Sequence, residues 1–110
     1  PKSTDINQIN FWKDLYKAFD QAGVKSRMFT KSISIKGYQG YLHSKAIVVD
    51  GVSAWVGSVN GSTQALTQNR EFGIFMNDQT EVKKLVDIII SDFNHPNSES
   101  WQEGIVCKKD

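Results

Sequence analysis

The sequence predicts an α/β fold, a mixed sheet flanked by helices. Three observations lead there. Two segments, about 6–22 and 78–93, carry apolar residues at three- and four-residue steps, the signature of amphipathic helices. Several short runs rich in β-forming residues lie between them, among them Ala46-Ile47-Val48-Val49. Both prolines, Pro1 and Pro96, sit near the ends and leave the interior free for regular structure.

The elements follow in order. Asp5 stands where an N-cap belongs, and Ile9, Trp12, Tyr16, Phe19 and Ala22 form the apolar face of the first helix, closed by Gly23. Val24 to Thr30 alternates loosely and reads as a strand. Lys31 to Gly40 is polar and glycine-punctuated and reads as a loop. Tyr41 to Val49 reads as a strand, Asp50-Gly51 as a hairpin turn, and Ser53 to Gly57 as the returning strand. A short helix fits within Ser58 to Gln68, and Glu71 to Met76 is strand-like. Asp78 and Glu81 fit a capping box for a last helix whose inner face is Val82, Leu85, Val86, Ile89 and Phe93. His95-Pro96 ends it. In the tail, Trp101 and Ile105 are expected to dock, before a polar Lys108-Lys109-Asp110 end. Trp12, Trp55 and Trp101 read as core or partner-facing aromatics. The first helix has no strand before it, so a core strand is expected upstream or from another chain.

The 110 residues read as a single domain, 1–110. Thirteen basic against 12 acidic residues leave a net charge of +1, which excludes a strongly basic nucleic-acid coat but not a local charged site. A lone cysteine, Cys107, excludes an internal disulfide and a cysteine-clustered zinc site. His43 and His95 lie far apart, so neither a metal nor another cofactor is expected. No apolar run is long enough to span a bilayer. The compartment stays open between cytoplasmic and secreted.

The chemistry concentrates in His43-Ser44-Lys45, Asp50, and Gly57-Ser58-Val59-Asn60. Residues two apart on a strand face the same side, so His43 and Lys45 are expected to project together. An ammonium beside an imidazole repels a metal but suits a phosphate: the lysine neutralises oxygens while the imidazole attacks phosphorus. The hairpin is expected to return Ser58 and Asn60 to the same place, where hydroxyl and amide donate further hydrogen bonds. A nucleophilic histidine needs its other ring nitrogen held, usually by a carboxylate. Glu71, in Asn69-Arg70-Glu71-Phe72-Gly73, is the leading holder. Asp50 competes, but its place in a turn favours a backbone-bonding role. A strand histidine alone is usually structural; with Lys45, Gly57, Ser58, Asn60 and Glu71 in register the chemical reading prevails.

This pattern, H-x-K-x4-D-x6-G-S-x-N, resembles the signature of the phospholipase D superfamily, and the segment after Asn60 is similar to the broad bacterial phospholipase D-like group. The resemblance covers roughly residues 24–93 and implies a phospholipase D-like half-domain. It implies His43 as nucleophile forming a phosphohistidine, Lys45 and Asn60 as phosphate ligands, Ser58 as a supporting donor and Glu71 as the orienting carboxylate. It implies no metal.

Members of that family use two such motifs, one histidine attacking and the other protonating the leaving oxygen. This chain holds one. The second is expected from a homodimer partner or from an N-terminal half, the missing first strand favouring the C-terminal half of a longer enzyme. The expected activity is hydrolysis or transfer of phosphodiesters. Lys25, Arg27, Lys31, Lys36 and Lys45, with no acidic residue between Asp20 and Asp50, favour an anionic substrate, and Phe29, Tyr38 and Tyr41 interleave with them. The low net charge favours phospholipid over nucleic acid. A metal-independent endonuclease and an inactive phosphate-binding half-domain are the alternatives.

Overall fold

The order of elements is α1 (Ile6–Gln21), β1 (Arg27–Phe29), β2 (Ile33–Ile35), β3 (Tyr38–Gly40), β4 (Lys45–Val49), β5 (Ser53–Gly57), α2 (Thr63–Thr67), β6 (Gly73–Met76), α3 (Gln79–Phe93), β7 (Ser98–Ser100) and α4 (Trp101–Gly104). The structure, a computed structural model, describes residues 5–29, 33–35, 38–40 and 42–105. Helices and strands are mixed along the chain, as the α/β class requires, and the strands form three small antiparallel sheets ordered β1-β7, β2-β3 and β4-β5-β6. No described helix is long and apolar enough to cross a membrane. The chain divides into two units, one of residues 1–42 with 93–110, the other of residues 43–92.

In the first unit, Asp5 caps α1 as expected, its side chain accepting from the Asn7 N–H at 2.9 Å. The helix ends at Gly23, whose φ of 77° lies in the left-handed region. The core is Met28, Trp101 and Ile105, with half-buried Trp12 and Tyr16 packed against it. Tyr16 stacks on Trp101 at 6.0 Å, and the Trp101 indole N–H donates to Asp20 at 2.8 Å. The expected docking of Trp101 and Ile105 is thus realised.

Two expectations change here. The tail is not merely irregular: Ser98–Ser100 is a strand paired with Arg27–Phe29, and the Arg27 guanidinium donates to both the hydroxyl and the carbonyl of Ser98. A serine-rich triplet shows no strand pattern of its own, so this pairing comes from the partner strand. The stretch read as a loop over Lys31 to Gly40 contains the β2-β3 hairpin, with Ile33 opposite Gly40. Ile33-Ser34-Ile35 does alternate, but its lysine and glycine neighbours mask the period. Lys31 and Lys36 lie outside the described residues, as does Tyr41.

In the second unit β4, β5 and β6 form a meander. The Asp50-Gly51 turn is present: the Val52 N–H donates to the Val49 carbonyl at 3.0 Å, and φ is 55° at Asp50 and 68° at Gly51. Paired left-handed residues match the right-handed twist of the flanking strands. The ladder resumes with Val49 opposite Ser53 and runs to Lys45 opposite Gly57. It begins at Lys45, so the strand expected from Tyr41 is shorter, and Leu42–Ser44 lead into it. Asp78 caps α3 through the Thr80 and Glu81 N–H groups. The Glu81 carboxylate pairs with Lys84 at 2.7 Å. Of the expected inner face of α3, Val82 is fully buried and Leu85 and Val86 are half-buried, while Ile89 and Phe93 remain exposed at 38% and 37%.

Candidate active site

The hairpin register builds the site. Lys45 opens β4 opposite Gly57, the last residue of β5, so Ser58 and Asn60 leave the sheet at the end where His43 and Lys45 enter it. The Lys45 ammonium nitrogen lies 2.8 Å from Nδ1 and 3.1 Å from Nε2 of the His43 ring, and it donates to the His43 carbonyl at 2.8 Å. An ammonium has only donors, so it takes a ring lone pair. His43 is exposed and Lys45 half-buried. Asn60 and Lys45 line one cavity.

Glu71 stands on the segment leading into β6. Its carboxylate accepts from the Ser58 hydroxyl at 2.5 Å and from the Asn69 amide at 3.2 Å. These two bonds, the Ser58 one first, hold its pKa below the ordinary glutamate value, aided by the charge of Lys45 and opposed by slight desolvation. Ser58 and Phe72 also join the strands: the Ser58 N–H donates to the Phe72 carbonyl at 2.9 Å and the Phe72 N–H to the Ser58 hydroxyl at 3.2 Å. Ser58 therefore ties the end of β5 to the carboxylate-bearing segment.

Asp50 lies at the other end of the hairpin, about 16 Å along the strand from Lys45 at roughly 3.3 Å per residue. Its positive φ marks a backbone task in the turn. Of the expected cation field, Lys45 reaches the site, whereas Arg27 is engaged by Ser98 in the other unit.

Two contributors escaped the sequence reading. Asn69 anchors Glu71, and the only hint was an amide two residues before the carboxylate. Trp55 is the second. A Cβ on Gly57 would meet the Trp55 ring at 2.4 Å and the Phe72 carbonyl at 2.5 Å, and one on Gly73 would meet the same ring at 2.4 Å. Gly57 and Gly73 are cross-strand partners. The close approach at Gly57 is made by the indole and by the Phe72 backbone.

The chain is similar in sequence to known proteins. The family described as "Cardiolipin synthase, PLD-like domain" matches residues 2–95. A cardiolipin synthase of Geobacillus kaustophilus is 32% identical over 83 residues, 76% of this chain and 15% of the relative. That of Geobacillus thermodenitrificans is 36% identical over 75 residues, 68% of this chain and 13% of the relative. That of Staphylococcus aureus is 36% identical over 84 residues, 74% of this chain and 15% of the relative. The chain therefore spans about 15% of the length of these relatives. No solved structure gives a significant match. The match over most of its length, together with the complete H-x-K-x4-D-x6-G-S-x-N pattern, makes this chain a member of the phospholipase D superfamily, in its phospholipase D-like domain family.

Proposed function

We propose that this chain carries one half of a phosphodiester-cleaving centre, of the phospholipid phosphodiesterase or transferase type, with His43 as nucleophile. The observation that carries the reading is the Lys45 ammonium 2.8 Å from the imidazole of His43, at the end of the sheet where Asn60 also emerges. An incoming phosphate draws the ammonium onto its oxygens and releases the ring lone pair. The freed ring nitrogen then attacks phosphorus, a P–N bond forms, and the bond from phosphorus to the leaving alcohol oxygen breaks. A second motif, from another copy of the chain or another part of a longer protein, protonates that oxygen. Water or an acceptor alcohol next attacks phosphorus and breaks the P–N bond, losing its proton to the second histidine. Hydrolysis and transfer differ only in that acceptor. Lys45 and Asn60 hold the phosphoryl oxygens, Ser58 supports them, and Glu71, kept ionised by Ser58 and Asn69, braces the imidazolium that forms. Phospholipid is the proposed substrate because the matched relatives are cardiolipin synthases.

The test is trapping. A phospholipid radiolabelled at phosphorus, quenched during turnover, should leave acid-labile, base-stable label on His43. His43→Ala should remove the label and lower turnover at least about a thousandfold while leaving the melting temperature nearly unchanged. Turnover should persist in EDTA. Unaltered turnover in His43→Ala, or turnover confined to oligonucleotides, would overturn the assignment. Phosphate binding with no turnover in any assembly would leave a binding half-domain.

A further inference from the structure

The loop that joins β5 to α2 contains the sequence Asn60-Gly61, and among the seven asparagines of the chain Asn60 is the one followed by glycine. Both residues lie outside helix and strand, and both are exposed. The Asn60 carbonyl accepts from the Ser62 N–H at 2.8 Å, which closes a three-residue turn over Gly61. A hydrogen bond on that carbonyl withdraws electrons from the Asn60–Gly61 amide and makes its N–H more acidic. Among the described residues, neither that N–H nor the Asn60 carboxamide has a hydrogen-bond partner to hold it. The fold does not require glycine at 61: a Cβ there would meet nothing within 4 Å, and its φ is not left-handed. What the missing side chain does is leave a backbone nitrogen unscreened beside a carboxamide.

We propose that Asn60-Gly61 is a site of spontaneous deamidation, by which the chain converts its own phosphate ligand into a carboxylate. The Gly61 nitrogen loses its proton and attacks Cγ of Asn60. The new C–N bond closes a five-membered succinimide, the Cγ–Nδ2 bond breaks, and ammonia leaves with the proton. Water then opens the ring at either carbonyl, giving aspartate or isoaspartate. Access favours the step, because a residue that must meet a substrate phosphate also stands open to water. The consequence for the site rests on the phosphodiesterase reading above and deepens it by naming how that site is switched off. Asn60 and Lys45 line one cavity. A carboxamide donates to a phosphoryl oxygen, whereas a carboxylate only accepts and carries the same sign of charge as the phosphate. The new carboxylate also draws the Lys45 ammonium to itself. The modified chain therefore stays folded but loses its hold on phosphate.

The experiment ages the full chain at mildly alkaline pH and follows it by peptide mass mapping. Asn60 should take on the mass of an amide-to-acid change, as a mixture of aspartate and isoaspartate, ahead of the six other asparagines. Gly61→Val should slow the change at least about tenfold, because a β-branched side chain crowds the attacking nitrogen. Binding of glycerophosphoglycerol, a soluble phosphodiester, is measured alongside. It should weaken at least about tenfold in the aged chain and in Asn60→Asp. Aged Gly61→Val should keep the affinity of the fresh chain, and the melting temperature should stay the same throughout. An Asn60 that keeps its amide as long as Asn97 does, or an equal rate in Gly61→Val, would overturn the proposal. Failure of the parent reading looks different: Asn60 would deamidate rapidly, but affinity for the diester would be absent from the fresh chain or unchanged by ageing and by Asn60→Asp.

Discussion

The two units are held together by different means. The first closes around side chains: Met28, Trp101 and Ile105 are buried together, and Tyr16 stacks on Trp101. The second relies on its ladder. Its buried apolar residues are Ala54, Ala65 and Val82, while Ile47, Val49, Ile74 and Phe75 remain exposed. Apart from Asp50 in the turn, the motif residues stand at or next to the end of that ladder, where Lys45 pairs with Gly57. Substitution in the first unit should therefore register as lost stability, and substitution at the ladder end as altered geometry of the site.

The largest expected effect lies in the aromatic core. Trp101→Ala removes the stacked ring and leaves the Asp20 carboxylate without its indole donor, and should lower unfolding free energy by about 3–5 kcal/mol in urea titration. A loss below about 1 kcal/mol would show that this unit does not depend on its packing. Next comes Gly57→Ala. Its methyl would strike both the Trp55 ring and the Phe72 carbonyl, and should cost about 1–3 kcal/mol together with most of the turnover. Trp55→Leu should recover part of the loss at Gly73→Ala, where the obstruction is the indole, but less at Gly57→Ala, where backbone also intrudes. Equal recovery at both sites would mean that the backbone contact is immaterial.

Ser58→Ala tests the carboxylate. Glu71 titrates below its ordinary value chiefly because Ser58 donates to it. A depressed native pKa stabilises the fold above the ordinary glutamate range, and that contribution is lost as pH falls through the native value. Removing the hydroxyl should move the Glu71 titration upward, read by carbon NMR of its carboxyl, and shrink the pH dependence of the urea midpoint on the acid side. An unmoved titration would assign the shift to Asn69 and Lys45. The smallest effect is expected at Asp50. Asp50→Asn keeps a residue tolerant of positive φ and should change stability by less than about 0.5 kcal/mol and leave turnover intact. A large loss of turnover there would return Asp50 to the chemistry.

Local features were readable from the residues. The periods of α1 and α3, the Asp5 cap and the Asp50-Gly51 turn each depend on neighbours a few positions apart, and the spacing from His43 to Asn60 is counted along one hairpin. Contacts across long stretches were not. Ser98–Ser100 becomes a strand because Arg27 and its neighbours, about seventy residues away, offer an edge and a guanidinium. The indole over two glycines depends on Gly57 and Gly73 meeting across β5 and β6, which neither glycine announces alone. Likewise Glu71 stands out as a carboxylate after the motif, but its anchoring by Ser58 and Asn69 needs the turn between them to be known.

The tight turn at Asp50-Gly51 also explains why the family signature is written with a fixed number of unspecified positions. Side chains alternate between the two surfaces of a strand, so adding or deleting one residue between Lys45 and Gly57 would reverse the parity of everything beyond it. The lysine would then face a different partner, and serine and asparagine would emerge on the wrong side. Seen this way, the blanks in the motif act as a ruler: along the two strands any residue suited to extended backbone will serve, and at Gly51 one that accepts a positive φ, provided that the count is kept.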